Sequence, residues 1–290
     1  MTRLFAASNL SWHTYLQGGF IVFHLPRPAL ALVALASIVM AGGCSSSGAP
    51  SISDPNEVIT KSVIALPAVK SVHLKLEVSG KVNTGALGGS SSGLSGNIDL
   101  AGTTLEGDLD VVKQAVDVKF AVPGLLGTTG EIIVVDGNMY TKISLSGDKF
   151  SKSKLSDTVP VSIPSPGAVA SADPSAAVAS LTKALDDAGA KATLQADDKV
   201  NGKDAYHVSV SIPVDKINAL LAADGGSTTA GMQLDSATFD YWVYKDSLLP
   251  AKMTIAGSAA TLGNLNLVLT LTDYDKAVTI NAPADSDISG

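Results

Sequence analysis

The chain contains one cysteine, Cys44, so any thiol chemistry must begin there. Cys44 follows a hydrophobic run over residues 29–40 and the small residues 41–43, and three serines come directly after it. Arg27 stands just before the run. A positive flank, about a dozen apolar residues and small residues before a cut are typical of a secretory signal. The sequence therefore predicts export through a secretory signal that ends close to Cys44.

A cysteine at the first position after such a cut resembles the lipobox of bacterial lipoproteins. The resemblance implies that the Cys44 thiol receives a diacylglycerol and that residues 1–43 are removed. A membrane-spanning helix needs about 20 apolar residues, which this run does not supply. A buried core helix is the other alternative, although Gly42-Gly43 and the serines end the run without an amphipathic pattern. The lipobox prefers leucine where Ala41 stands.

The charge of the chain restricts its partners. Residues 1–43 hold both arginines and no acidic residue, so the formal charge of −7 becomes more negative after cleavage. An acidic surface argues against nucleic acid, whose phosphates require a basic face. The mature part also lacks a polybasic patch for anionic lipids, so membrane attachment must come from acyl chains. Once Cys44 is acylated, no thiol remains for a disulfide, a metal or catalysis.

Other residues with chemical potential are few. His73 and His207 lie at alternating positions of predicted strands, on the side opposite the aliphatic residues. A zinc site needs three or four protein ligands, and none cluster in the sequence. There is no Gly-x-Ser-x-Gly elbow, and the glycine-rich stretch 85–96 lacks the lysine of a phosphate loop. The sequence predicts no enzyme, no metal and no cofactor.

The elements that position these residues are mostly strands. Asp54 and Pro55 begin a first helix, because aspartate caps and proline suits the first helical position. Residues 72–78 then alternate between apolar and polar, which predicts a half-buried strand. Two further helices begin at Pro174 and Pro213. Further strands are predicted at 94–101, 104–112, 115–122, 131–136, 139–144, 147–151, 190–199, 205–212, 236–244, 251–257, 265–273 and 277–281.

This order of elements predicts an α+β fold, with one large curved antiparallel sheet and helices gathered on one face. Long aliphatic faces, such as 132–135 and 262–271, must be covered by only three modest helices. A curved sheet that is not closed can then enclose an apolar cavity that accepts hydrophobic guests. The alternative is an ordinary packed core, and the pattern of residues leaves both open.

Several stretches resemble the LppX/LprA/LprF/LprG lipoprotein family of mycobacteria and other actinobacteria. They are the strand segments 70–80 and 94–98, the hairpin 133–141, and the later segments 200–203 and 241–252. The resemblance implies a half-barrel with helices on its concave face and a hydrophobic cavity between them, similar to carriers of the LolA/LolB type. It also implies binding or movement of acylated lipids, and it supplies no catalytic residue.

The predicted function is that of an extracytoplasmic lipoprotein, lipid-anchored to the outer face of the plasma membrane, that binds an acylated lipid or glycolipid and helps transfer it across the envelope. An envelope transporter is a candidate partner. The alternative is an interaction or sensor-regulating module that acts through protein contacts and has a packed core. The candidate cavity-lining residues are Val58, Ile59, Val63, Leu181, Leu185, Ile217, Leu220 and Leu221 on helices, and Leu74, Leu76, Val134 and Leu269 on strands.

The predicted organisation has four parts. Residues 1–43 are a signal peptide with a lipobox, and 44–53 are a flexible tether. Residues 54–283 form the lipid-binding half-barrel domain, and 284–290 form a tail.

Overall fold

The computed structural model describes residues 51–83, 96–155, 174–223, 233–261 and 263–289. The predicted signal peptide and most of the tether therefore lie outside the described residues. So do the glycine- and serine-rich residues 84–95 and the proline-rich residues 156–173. In the described part, no helix is both long and apolar enough to cross a membrane.

Thirteen described strands form one open antiparallel sheet in the order β7-β6-β5-β4-β3-β1-β13-β12-β11-β10-β8, with β2 beside β1 and β9 beside β10. Because β7 and β8 end the order without pairing to each other, the sheet does not close into a barrel. The strands are β1 Ser71–Asn83, β2 Asn97–Asp99, β3 Thr103–Asp110, β4 Ala115–Val122, β5 Thr128–Val135, β6 Asn138–Ile143, β7 Ser151–Lys154, β8 Lys191–Leu194, β9 Asp198–Val200, β10 Lys203–Ser211, β11 Ser236–Tyr244, β12 Pro250–Ala259 and β13 Gly263–Thr272.

Three α-helices of the described part accompany the sheet: α1 Pro55–Ala65, α2 Pro174–Asp187 and α3 Val214–Ala223. Asp54 caps α1, since its carboxylate accepts a hydrogen bond from the Asn56 N–H at 2.9 Å. Glu57, in the first turn of α1, forms an ion pair with Lys61 one turn later. A 3-10 turn, Leu66–Ala68, then leads into β1. The two helix starts at Asp54 and Pro174 were predicted correctly.

The two faces of the sheet differ in what covers them. The inner face is the one against which α1 packs, and the outer face is its opposite. Ile280 and Ile288, from the segment after β13, pack on the outer face near β4–β7. The core of that packing is Ala115, Ile133, Val135, Tyr140, Phe150 and Ile280. The chain after β13 therefore closes one end of the outer face without adding a strand.

Glycines occur on the inner face where neighbouring strands approach most closely. A Cβ on Gly107 would lie 2.0 Å from the Asp117 carbonyl oxygen, and a Cβ on Gly130 would lie 2.3 Å from the Phe120 ring. No other residue fits those positions without displacement. Such glycines allow a sheet to bend and its backbones to come together, in keeping with the curvature that the sequence predicts.

Several predicted strands were wrong in part, and the strand predicted at 190–199 is two strands, β8 and β9. The stretch 277–281 is not a strand, because the backbone takes left-handed φ angles at Asp273 (+52°) and Asp275 (+60°), which turn the chain out of the sheet. The strand predicted at 147–151 instead begins at Ser151. The predicted tail is packed: Phe150 donates its N–H to the Asp287 carbonyl at 2.7 Å, and Ser289 donates to the Phe150 carbonyl at 2.8 Å.

Candidate functional site

One row of side chains crosses the whole inner face. The strand registers place ten residues side by side along it. Nine of the ten are apolar or aromatic, and the tenth is a glycine that makes room for a ring. In sheet order they are Leu194, Val208, Tyr241, Met253, Leu269, Leu76, Leu105, Phe120, Gly130 and Ile143.

At the β8–β11 end, α1 covers this face. Val58 of α1, together with Val208 and Val243 of the sheet, is fully buried. Ile52 lies in the same cluster and donates its N–H to the Tyr206 hydroxyl at 3.2 Å. Ser62 Oγ and the Tyr241 hydroxyl share a hydrogen bond at 2.6 Å, and burial raises the pKa of Tyr241 to about 12. This end, here called the covered end, is packed like a protein interior.

The remaining part of the inner face lies on β1, β3–β6, β12 and β13 and is here called the open end. Its apolar side chains are mostly half-buried rather than buried. The strand registers place every charged side chain of these strands on the outer face, since successive side chains of a strand point to opposite faces. In the described part of the chain, the main helix contacts are those of α1 with β8, β10, β11 and α2. On the described strands, the open end is thus an apolar face that carries no charged side chain.

The structure divides the predicted cavity-lining residues between these regions. Leu74, Leu76, Val134 and Leu269 all lie on the open end and are half-buried, and Leu76 pairs directly with Leu269. Val58 lies in the buried cluster under α1, where Ile59 packs against it. Three further helix residues are half-buried: Val63, Leu185 and Ile217. The side chains of Leu181, Leu220 and Leu221 lie outside the described part.

Sequence reasoning missed several residues that shape the inner face. Phe120 lies over Gly130, and Tyr241 bonds to a serine of α1 that is 179 positions away. Period-two alternation could have placed Phe120 and Tyr241 on an apolar face, because each lies in a predicted strand. The bond to Ser62 left no local signal, since it joins elements from opposite ends of the chain.

On the strands of the open end, the titratable side chains lie on the outer face. His73 Nδ1 lies 2.9 Å from Asp108 Oδ1, and His73 Nε2 lies 3.4 Å from Glu106 Oε1. Burial alone would lower the pKa of His73, but the hydrogen bonds and charges of both carboxylates outweigh it and raise that pKa. Burial also raises the pKa of Asp117 on the next strand, helped by repulsion from Glu131. These groups form a paired surface network facing away from the inner face.

The second histidine is packed rather than free. The His207 ring stacks on Trp242 with 4.2 Å between ring centroids, and its Nε2 lies 3.0 Å from Asp240 Oδ1. Lys252 Nζ lies 4.0 Å from the Trp242 ring centroid, on a neighbouring strand of the same face. Within the described residues, no group of three or more His, Cys, Asp or Glu could hold a metal ion.

The family profile described as "LppX_LprAFG lipoprotein" matches residues 54–280. The chain belongs to this lipoprotein family. It is 26% identical over 276 residues to the "Lipoarabinomannan carrier protein LprG" of Mycolicibacterium smegmatis, covering 89% of this chain and 98% of that protein. The predicted family resemblance is confirmed, and this relative is named as a lipoarabinomannan carrier.

Two solved lipoproteins also align with the chain. LppX of Mycobacterium tuberculosis is 14% identical with a TM-score of 0.47, over 78% of this chain and 97% of that one. LprF of Mycobacterium bovis is 17% identical with a TM-score of 0.47, over 79% and 97%.

Proposed function

We propose that this lipoprotein binds the acyl chains of a lipid or glycolipid against the open end of its inner face and carries that lipid within the cell envelope. The observation that carries the proposal is the uncharged apolar surface of half-buried side chains around Leu76, Leu105 and Leu269. Membership of a lipoprotein family that includes a named lipoglycan carrier supports it. The proposal includes no catalytic step and no cofactor.

The binding force would be burial of hydrocarbon. Each methylene removed from water contributes about 0.8 kcal/mol, so a chain of a dozen or more carbons offers ample free energy even after its ordering is subtracted. No charged group lies on the open end to recognise a headgroup, so the headgroup would stay in water. Selectivity should therefore depend on the number and length of acyl chains rather than on the headgroup.

Acylation of Cys44 would hold the protein at the outer face of the plasma membrane. Ile52 is buried and bonded to Tyr206, so the folded domain is fixed from that residue onward. The eight peptide steps from Cys44 to Ile52 span at most about 25–30 Å when extended. The domain would then remain within a few nanometres of the lipid surface that supplies its cargo.

The test uses a chain from Ser45 to Gly290, which contains every described element but neither the predicted signal nor the predicted acylation site. Native mass spectrometry after incubation with dipalmitoyl phosphatidylcholine should show lipid adducts. The variant Leu76→Trp, which fills the centre of the open end, should lose the adducts and keep its fold. Thr270→Trp, on the outer face of the neighbouring strand, is the matched control and should keep them.

Failure would take a clear form. If the unaltered chain carries no lipid from its host and takes up none in this assay, the carrier proposal is wrong. A cooperative loss of stability in Leu76→Trp of about 1–3 kcal/mol, without any lipid binding before the change, would indicate overpacking of a solid core. The envelope interaction module would then be the better description.

A further inference from the structure

Three turns lie side by side at the same end of the strands. They join β2 to β3, β4 to β5 and β6 to β7. Because the strands are antiparallel, every second turn lies at the same end of the strands. The first two touch, because a Cβ on Gly124 would lie 1.7 Å from the Asp99 carbonyl oxygen. The last two are joined by hydrogen bonds of 2.8 and 3.0 Å between Ser144 and Thr129. This line of turns is called the rim below.

Two leucines project from the rim into solvent. Leu126 in the β4–β5 turn is 83% exposed, and Leu145 in the β6–β7 turn is 60% exposed. The segments around them, 123–127 and 144–147, contain only Pro, Gly, Leu and Ser. The β6–β7 turn continues with the exposed pair Asp148-Lys149, whose opposite charges give it no net charge. Large apolar side chains that protrude from such turns indicate contact with an apolar medium or partner.

Folding does not account for Leu126. Its φ of +54° is a left-handed conformation that glycine or asparagine adopts more readily than leucine. Leu248 takes a similar φ of +58°, but its side chain packs against the cluster under α1. Leu126 has no such packing to offset its strain. A residue that breaks a local rule without a folding benefit points to a function.

The β4–β5 turn is held firmly in place. Leu125 donates its N–H to the Val122 carbonyl at 3.0 Å, and Gly127 donates to the Pro123 carbonyl at 3.0 Å. The buried hydroxyl of Thr128 bonds to the Leu125 carbonyl. Leu126 is therefore displayed from a rigid turn, which lowers the entropy lost when it inserts into another phase.

The rim is continuous with the open end. Phe120, Gly130 and Ile143 form the part of the apolar row nearest these turns, and β4, β5 and β6 run directly into them. An acyl chain lying on the open end could pass the rim at the β4–β5 turn, where residues 123–127 include no charged side chain. The rim therefore lies where an acyl chain bound to the open end, as in the proposed function, would leave the sheet.

We propose that the rim docks on a lipid bilayer, with Leu126 and Leu145 inserted below the headgroups. This inference rests on the proposed function for its purpose, although vesicle binding can be measured without it. A protein partner or a second copy would need about 800 Å² on each side, far more than two leucine tips provide. The chain is acidic overall, so docking depends on insertion and not on attraction to anionic lipid.

The experiment measures flotation of the Ser45–Gly290 chain with neutral phosphatidylcholine vesicles. The rim variant carries Leu126→Asn and Leu145→Ser, with asparagine chosen because it tolerates the left-handed φ. Its vesicle binding should fall roughly tenfold or more, since burial of leucine side chains supplies the affinity. Raising the salt to about 0.5 M should leave binding of the unaltered chain unchanged.

The matched control lies in a turn at the opposite end of the same strands. Val111 and Val112, in the β3–β4 turn, are 37% and 64% exposed, and both are changed to serine. This variant should bind vesicles as the unaltered chain does. Equal losses in both variants, or no vesicle binding by the unaltered chain, would overturn the rim proposal. A concentration-dependent dimer lost in the rim variant would assign the rim to a second copy instead.

A separate measurement distinguishes this proposal from the proposed function. Pyrene-labelled palmitate offered as dissolved monomer, without vesicles, should load the rim variant and the unaltered chain equally. Normal loading with unchanged vesicle binding in the rim variant would reject the rim and leave the carrier function intact. Absence of loading in both chains would reject the carrier function, whatever the vesicles show.

Discussion

The covered end and the open end of the inner face are built from the same kinds of residue yet have different surroundings. Val208 and Val243 are fully buried beneath α1, whereas Val134 and Leu76 are only half-buried. Alternation along a strand decides which face is apolar, but it does not decide what covers that face. From this contrast we expect the covered end to contribute more to stability, and under the proposed function the open end receives the lipid.

The largest expected effect separates the two ends by stability. Val208→Asp places a charge without a partner in a packed interior and should lower the free energy of unfolding by about 3–5 kcal/mol or prevent folding. Val134→Asp makes the same change at a half-buried position and should lower it by about 1 kcal/mol. Urea unfolding measures both, and equal losses would mean that the open end is packed as tightly as the covered end.

Part of this contrast could be predicted from the sequence. Local signals were sufficient for the cap at Asp54, the strand alternation of β1 and the hairpin at Asp136-Gly137. They also indicated a sheet too large for its helices. These features depend on residues close together in the chain, where capping, turn chemistry and period-two alternation act directly.

What the sequence could not supply is long-range pairing. β1 pairs with β13, and His73 meets Asp108 across a strand boundary, because strand register brings them together. No residue near His73 in the sequence predicts that Asp108 is its partner. The stretch 277–281, wrongly predicted as a strand, illustrates the same point. Its apolar residue Ile280 is buried by packing on the outer face and not by pairing within the sheet. Periodicity predicts which face of a strand is apolar, but it does not predict which segment of the chain packs on that face.

The intermediate prediction concerns how α1 is held on the covered end. Ser62→Ala leaves the Tyr241 hydroxyl without its partner and should cost about 1–2 kcal/mol of unfolding free energy. Tyr241→Phe should have a similar effect. The double variant should be less destabilised than the sum, by a coupling of about 1 kcal/mol, because both changes remove one bond. Strict additivity in urea unfolding would show that the bond contributes nothing.

The smallest expected effect is on the outer face and depends on pH. The pKa of His73 is raised above its ordinary value of 6.5 by Asp108 and Glu106, despite burial. Its contribution to stability is therefore fully present below pH 6.5 and is lost as the pH rises through the raised value. Compared with His73→Gln, the unaltered chain should be more stable by about 0.2–1 kcal/mol in acid, as for a partly exposed pair.

This last prediction also sharpens the contrast between the faces. The open end carries no titratable side chain on the described strands β1, β3–β6, β12 and β13, so lipid loading should stay constant between about pH 5 and 8 while the advantage over His73→Gln fades. Urea unfolding measures the stability, and loading of pyrene-labelled phosphatidylcholine, whose headgroup does not titrate in that range, measures lipid binding. If the stability difference from His73→Gln grows with pH, the proposed pairing of His73 with its carboxylates is wrong. If lipid loading changes with pH in parallel with that stability difference, titration on the outer face affects binding on the inner face.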